Sequence, residues 1–494
     1  MTSKQDLDAL SWVQGNLELA FGILSLDAVH TSDIEKMFAQ AVLEQQSIER
    51  GDKVNTDEER QVGHYWLRTP DLAPAGIGNE ITVAQTDVIA AAKSILSECD
   101  AQGGRKWTDA VVVGIGGSSL GAAFVSQALG LERNRAALSL HFLDNTDPDG
   151  ATGMLDAIGD RLVSTLVIMI SKSGSTRETQ NGYAMLAARF ERAGMNVEHH
   201  SIGVSMPGSK LHQMSEQRGF LYHFPIWDFV GGRTSITSSA GILPLALAGA
   251  DIESFLRGAA KMDQLTRNES LRENPAGLLA VALYQTCLKD EIRQLAIVPY
   301  RDRLAKLAMY LQQLFMESLG KELDRDGKVV NQGLTVFGNK GSTDQHSYFQ
   351  QLRDGRSDVV TLFVESVLEP SGDDDIEIED GVLVSDYLFA FLHGSRAALS
   401  EKGRHNFLIS LQRVDEESIG GLLALFERSV GYLGTFLNIN AYSQPGVEAG
   451  KKAAEAIIAL QRDLQTGTSQ TDQAGREQGL EARLMARLRK NGRL

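Results

Sequence analysis

The sequence predicts an α/β protein built on parallel-rich sheets and divided into two domains. Three observations carry that prediction. Short apolar runs rich in Val, Ile and Leu alternate with helical patterns along most of the chain, the signature of βαβ units. Several of these runs stop abruptly at turns rich in Gly, Ser and Thr, as strands buried on both faces do at the edge of a parallel sheet. The chain has 494 residues, more than the roughly 250 to 300 that one core usually holds.

Taken in order, residues 1 to about 75 read as helical, with Leu17, Leu19, Ala20, Ile23 and Leu24 on an early apolar patch. Residues 110–113 read as a strand entering the turn GIGGSS, Gly114 to Ser119, and a helix runs from there through Leu129. Residues 138–143 and 166–170 are the next strands, followed by 197–204 and 220–224. A helical stretch covers 241 to about 288. The pattern then begins again with strand 295–298, helix 304–318 and strand 334–337. The polar turn at 338–347 opens another helix, and 359–364 is one more strand. The acidic segment 369–380 reads as a solvated loop. Residues 465–473 have linker composition, and beyond them Leu480, Leu484 and Leu488 recur at helical spacing. The organisation expected is a first, smaller domain at 76–240 and a second, larger one at 241–464, with 1–75 packing on the second. A linker and helix at 465–494 complete the chain.

Composition narrows the class of partner. A formal net charge of -16, with no basic stripe to offset it, argues against nucleic acid. Cys99 and Cys287 lie far apart in sequence, which fits a reducing compartment without a disulfide framework. No apolar run approaches the ~18 residues of a membrane span, and the start, MTSKQDLDAL, lacks the apolar core of a signal peptide. A cytoplasmic protein with no membrane association is expected.

The segment TLVIMISKSGSTRET, Thr165 to Thr179, has the chemistry of an anion cradle. Its strand ends at Ser171, and Ser173, Ser175 and Thr176 add hydroxyls around a helix start. Gly174 permits close backbone approach, and the free N–H groups of the first helical turn favour negative charge. The simpler reading is a turn rich in N-cap residues. An echo, NKGSTDQHS, follows the strand at 334–337 and shares the Lys, the Gly-Ser-Thr run and the spacing to a helix. Two similar domains with such turns at their strand ends would meet at a shared crevice.

Titratable groups complete the picture. Glu317, in LFMESLGKE, falls in the last turn of a predicted helix with Gly320 as its expected cap. A carboxylate facing the negative end of the helix dipole is disfavoured by about 0.3 to 1 kcal/mol, which makes it a better proton acceptor. The alternative is a solvated i,i+4 pair with Lys321. His346, in the echo turn, is suited to acid or base work near neutral pH, or is structural. Arg233 follows two glycines in FVGGRTSITSS and is placed either to stabilise developing negative charge or as an ordinary surface arginine. The histidines, His199 and His200 included, lack metal-ligand spacing, so no metal is expected. The GIGGSS turn fits a dinucleotide fingerprint poorly, because Ser119 stands where its third glycine belongs and Asp144 comes late.

Five separated segments, GIGGSSLG at Gly114, SKSGSTRET at Ser171, VGGRTS at Val230, MESLGK at Met316 and QPGVEAGK at Gln444, together with the His346 turn, resemble the glucose-6-phosphate isomerase family in that family's order. The resemblance implies two sugar-isomerase (SIS, flavodoxin-like) αβα sandwich domains and a homodimer that works without metal or cofactor. It also implies interconversion of glucose 6-phosphate and fructose 6-phosphate in glycolysis and gluconeogenesis. By position, it assigns Glu317 as the base moving a proton between C2 and C1, and Arg233 as the cation beside the enediolate. It assigns His346, from the neighbouring subunit, and Lys451 to ring opening. Ser171, Ser173 and Thr176, with Lys172 beside them, match phosphate ligands. Gly117, Ser118, Gln313, Glu178 and Gln444 match residues lining the sugar site. Leu319 and Thr234 depart from the commoner Asn and aromatic residue, which leaves open whether mannose 6-phosphate is also accepted. Other readings are a non-catalytic sugar-phosphate-binding regulator with the same domains and, disfavoured for want of a cysteine near the start, half of an amidotransferase.

Overall fold

The computed structural model describes residues 8–134, 136–289, 292–368, 375–466 and 476–493. The expectation of an all-helical start is corrected at once. Strands β1 (Ser11–Gln14) and β2 (Leu17–Ala20) form an antiparallel hairpin, Gln14 opposite Leu17, closed by Gly15 and Asn16. The reason lies in the period of the pattern. Trp12, Leu17 and Leu19 are buried while Val13 and Glu18 face out, an alternation of two around a two-residue Gly-Asn loop. Within residues 1 to about 75 the helical expectation is met later, at Ser32–Arg50; a further helix, Ile77–Ser97, follows that segment.

Five strands make the next sheet: β3 (Asp109–Val113), β4 (Ser139–Leu143), β5 (Thr165–Ile170), β6 (Ser201–Ser205) and β7 (Tyr222–Pro225). They pair in the order β4-β3-β5-β6-β7, every neighbour parallel. Ala110 and Val112 of β3 enter one hydrophobic cluster and Val111 and Val113 another. Both faces are therefore covered, which is why these strands read as unbroken apolar runs.

The remaining strands are β8 (Gln294–Pro299), β9 (Lys321–Leu323), β10 (Val329–Gln332), β11 (Thr335–Phe337), β12 (Val360–Ser366), β13 (Glu377–Glu379), β14 (Val382–Leu383) and β15 (Asn406–Leu411). The second large sheet runs β1-β2-β15-β12-β8-β11. Its β15, β12, β8 and β11 are parallel, and the amino-terminal hairpin adds an antiparallel edge through β2. Its two faces also divide, Leu295 and Ile297 joining the cluster of Ala110 and Val112, Ala296 and Val298 joining a third. The pair β13 and β14 replaces part of the loop expected at 369–380; residues 369–374 lie outside the described ones.

Contacts divide the chain into two units, Met1–Tyr442 and Ser443–Leu494. The second consists of helices Gly446–Thr466 and Arg476–Lys490. The first helix takes in Gln465 and Thr466, correcting the start of the expected linker, and 467–475 lie outside the described residues. Of the late leucines, Leu484 and Leu488 are buried and Leu480 is exposed. Among the described residues no helix is long and apolar enough to cross a membrane.

One buried carboxylate supports the first sheet. Asp109 opens β3 and accepts bonds from Arg161 (2.9 and 3.2 Å) and Thr108 (2.7 Å), and pairs with His141 at 2.8 Å. Burial alone would raise its carboxyl, but the bonds from His141, Arg161 and Thr108 outweigh that and hold it well below the usual carboxylate range. A depressed carboxyl contributes stability above its unfolded pKa, near ~3.9, and loses it as pH falls. Asp109→Asn is therefore expected to cost about 1–3 kcal/mol at pH 7. In thermal melts the gap to the parent should hold from neutral pH down to about 5 and narrow as pH falls below about 4; a gap that persists unchanged at about pH 2 would refute the charged role.

Candidate active site

The two halves meet at a few close-packed turns. After β3, the turn Gly116–Ser118 packs so tightly on the Gly232–Thr234 turn that a Cβ on Gly117 would overlap the Gly232 carbonyl. Only glycine permits that approach. Ser235 Oγ donates to the Gly117 carbonyl at 2.9 Å, fastening one turn to the other. Gly116 faces the Gln313 side-chain amide, which a Cβ there would crowd.

Gln313 and Glu317 come from the second half, and their helix differs from the one expected. Leu307–Leu311 is α-helical, but Gln312–Glu317 widens into a π turn, a local irregularity that recurs at functional sites. Gly320 is not a left-handed cap. Its N–H bonds the Met316 carbonyl at 2.9 Å, close enough that a side chain would strike that oxygen.

Glu317 and Arg233 touch. Arg233 Nη1 lies 3.1 Å from Glu317 Oε1, and Nη2 donates to the Ala441 carbonyl at 3.1 Å. Arg233 is no surface arginine: its side chain is 7% exposed and that of Glu317 24%. Burial presses the guanidinium below its ordinary value, and the nearby Glu317 and Glu58 oppose this. The solvated Glu317–Lys321 pair is corrected as well. Lys321 is buried, and its Nζ donates to the backbone carbonyls of Glu317 and Ser318, each at 2.8 Å. It caps the helix end, satisfying carbonyls that lack partners within the helix. Burial, with Arg233 adding to it, pushes this ammonium down to about 8.

The hydroxyl-rich turn expected to act as an anion cradle is held by its own hydrogen bonds. Ser171 is buried, and its Oγ donates to Thr176 Oγ1 at 3.1 Å and accepts from Gly174 N–H at 3.1 Å. Ser173 and Ser175 share a hydroxyl bond at 2.7 Å. Gly174 adopts φ +71° against Leu211, where a Cβ would strike backbone. The helix Arg177–Arg192 starts here, Glu178 in its first turn, and Thr176 makes no side-chain cap. Lys172 does not offer its ammonium to the turn. Its Nζ donates to the carbonyls of Asp228 and Val230 at 2.7 and 2.9 Å, tying the cradle to the loop that carries Arg233. Burial, with Arg60 adding to it, pushes Lys172 down to about 8.

His346 ends the short helix Thr343–His346 after β11, its ring exposed. The preceding Asp344 is buried, accepting from Asn339 N–H at 2.9 Å and from Tyr348 Oη, and so braces the turn. Gln444 and exposed Lys451 belong to the second unit, Lys451 on helix Gly446–Thr466. The structure thus brings together Gly117, Ser118, Arg233, Gln313 and Glu317, and links the cradle to them through Lys172. Leu319 is fully buried in the main hydrophobic cluster, so this departure changes the core.

Behind Arg233 lie residues that sequence reasoning passed over. Tyr310 Oη contacts the Arg233 carbonyl at 3.3 Å and Glu427 Oε1 at 3.0 Å. Glu427 pairs with Arg68, which also bonds Asp263 at 2.9 Å, with no side chain of the three exposed. A signal existed: Glu427 and Arg428 interrupt an apolar helical run, and such charges are buried only when paired. Among the described residues no three His, Cys, Asp or Glu gather to hold a metal ion.

A carboxylate in contact with a buried guanidinium, beside a hydroxyl-rich turn at a helix start, can remove a proton next to a carbonyl and hold the resulting anion. Comparison with known proteins agrees in kind. The family model described as phosphoglucose isomerase matches residues 30–391 and 400–480. The chain is 48% identical over 434 residues to the glucose-6-phosphate isomerase of Geobacter sp. strain M21, covering 87% of this chain and 81% of that one. It is 45% identical over 474 residues to that of Thermosynechococcus vestitus, covering 94% and 88%. A crystal structure of a glucose-6-phosphate isomerase from Chlamydia trachomatis superposes with a TM-score of 0.82 at 25% identity, covering 93% of this chain and 92% of that one.

Proposed function

Because this chain belongs to the phosphoglucose isomerase family, we propose that the Arg233–Glu317 pair is the reacting centre of an aldose–ketose isomerase. The activity is that of the relatives, glucose-6-phosphate isomerase, and its substrates are glucose 6-phosphate and fructose 6-phosphate. The observation that carries the residue assignment is the 3.1 Å contact between Arg233 Nη1 and Glu317 Oε1, made by side chains from distant parts of the chain.

Isomerisation opens the sugar ring, removes a weakly acidic proton from C2 and returns it to C1. Glu317 takes and returns that proton. Arg233 stabilises the charge that develops on the enediolate oxygens, in a site where a buried cation acts strongly. Ser171, Lys172, Ser173 and Thr176 form the phosphate cradle, most of their contribution coming from hydroxyls and N–H groups because the Lys172 ammonium is held by backbone carbonyls. Gripping the remote phosphate positions the reacting carbons. Gly117, Ser118, Glu178, Gln313 and Gln444 line the sugar. His346, supplied by the second subunit of a homodimer, and Lys451 move the hydroxyl proton in ring opening. The enzyme works in the cytoplasm.

A dehydrogenase-coupled assay with fructose 6-phosphate tests the activity. Turnover that persists after dialysis against chelator is expected, and loss of turnover on dialysis, restored by added metal, would overturn the cofactor-free scheme.

A further inference from the structure

The elements that bear the reacting pair are joined by one hydroxyl. Tyr310 sits on the helix Leu307–Leu311, just before the π turn of Glu317. Its Oη reaches the main-chain carbonyl of Arg233 at 3.3 Å and Glu427 Oε1 at 3.0 Å. A phenol has one hydrogen, and both neighbours are acceptors, so that hydrogen is shared between them. The hydroxyl is thereby confined to the line between the Arg233 turn and the long helix Glu416–Phe436 that carries Glu427. Glu427 cannot swing away. Its other oxygen pairs with Arg68, whose Nη1 is held by Asp263 at 2.9 Å, and all three side chains are fully buried. The ring of Tyr310 stacks on Phe124, centroids 6.0 Å apart, on the helix that follows the Gly116–Ser118 turn.

We propose that Tyr310 is a positioning residue for the isomerisation, holding the Arg233 turn in register with the helix of Glu317 through its bond to the Arg233 carbonyl and its anchorage on the Glu427–Arg68 pair. The proposal rests on the reading of Arg233 and Glu317 as the reacting pair. Tyr310 itself meets no substrate, its side chain being buried. It acts by keeping the guanidinium where charge develops, an interaction needed more in the transition state than in the ground state.

The test is Tyr310→Phe, which removes only the hydroxyl, assayed with fructose 6-phosphate below its measured melting transition. The expected result is a kcat about tenfold lower with KM within about twofold. Affinity for a phosphorylated hydroxamate, an anionic mimic of the enediolate, should fall by the same tenfold. A merely structural role would reduce the fraction of folded enzyme and leave the hydroxamate affinity of the folded fraction unchanged, which would overturn the proposal. Repeating the substitution in an Arg233→Lys background locates the effect. There it should cost less than about twofold, because residues acting through one group are not additive. Additive losses would overturn the route through Arg233. Parent kcat in Tyr310→Phe beside a slow Arg233→Lys would overturn the role of Tyr310 alone; parent kcat in Arg233→Lys would instead overturn the assignment of Arg233 and its route to Tyr310 together.

Discussion

Replacing Glu317 by Gln is expected to lower kcat for fructose 6-phosphate by about a thousandfold or more, within the 10²–10⁴ range of a positioned base and the loss of charge beside Arg233. The substitution keeps the size of the side chain and an oxygen facing Arg233, so the 3.1 Å contact can persist while the proton acceptor is gone. Substrate affinity should stay within a few-fold, since the proposed phosphate cradle is built from a different turn. Equilibrium binding of fructose 6-phosphate and exchange of its C1 proton with solvent separate the two effects. Exchange at the parent rate would remove Glu317 from the role of base, whereas lost binding would mean that the carboxylate holds the sugar.

Mixing subunits tests the second large effect. His346→Asn alone should be nearly inactive on the closed-ring sugar, as should Glu317→Gln. If each site takes Glu317 from one chain and His346 from its partner, a mixed dimer has one intact site and one doubly broken. Random reassembly of equal amounts should then restore about a quarter of parental activity, since half the dimers are mixed and half of their sites work. The measurement is the coupled rate after denaturation and joint refolding, compared with each variant refolded alone. Joint refolding that restores dimers but no activity would place His346 and Glu317 of the same chain in one site. The exposed His346 ring, on a turn braced by buried Asp344, is consistent with a side chain offered outward.

Much of this was legible in the chain itself. The strands of both sheets follow from apolar runs such as Leu166 to Ile170, which a parallel sheet buries on both faces. The first residues differ because Leu17, Leu19, Ala20, Ile23 and Leu24 fit a helical patch as well as an alternating strand; the local signal that separates the two is the Gly15-Asn16 pair between the strands. Glu317 could be singled out as a carboxylate at a helix end. Its partner could not, because nothing in local sequence distinguishes the buried Arg233 from a solvated one. The alternative that paired Lys321 with the Glu317 carboxylate fails for a related reason. Spacing of i,i+4 brings two side chains within reach but does not say whether the ammonium will bond the carboxylate or, as here, the carbonyls at the helix end.

The sequence by itself determined the class of fold, the turns of small residues and the set of residue types the chemistry needs. These depend on neighbours along the chain: periodicity, capping and the freedom of glycine. Only the tertiary structure decided that Arg233 lies against Glu317, that Lys172 serves the Arg233 loop through backbone carbonyls, and that Tyr310 stands between them and a buried ion pair. Those are contacts between segments far apart in the chain, and their physical basis is close packing and burial. Gly117 must meet Gly232 before Arg233 can be carried to its partner, and burial then favours pairing of the polar groups around it.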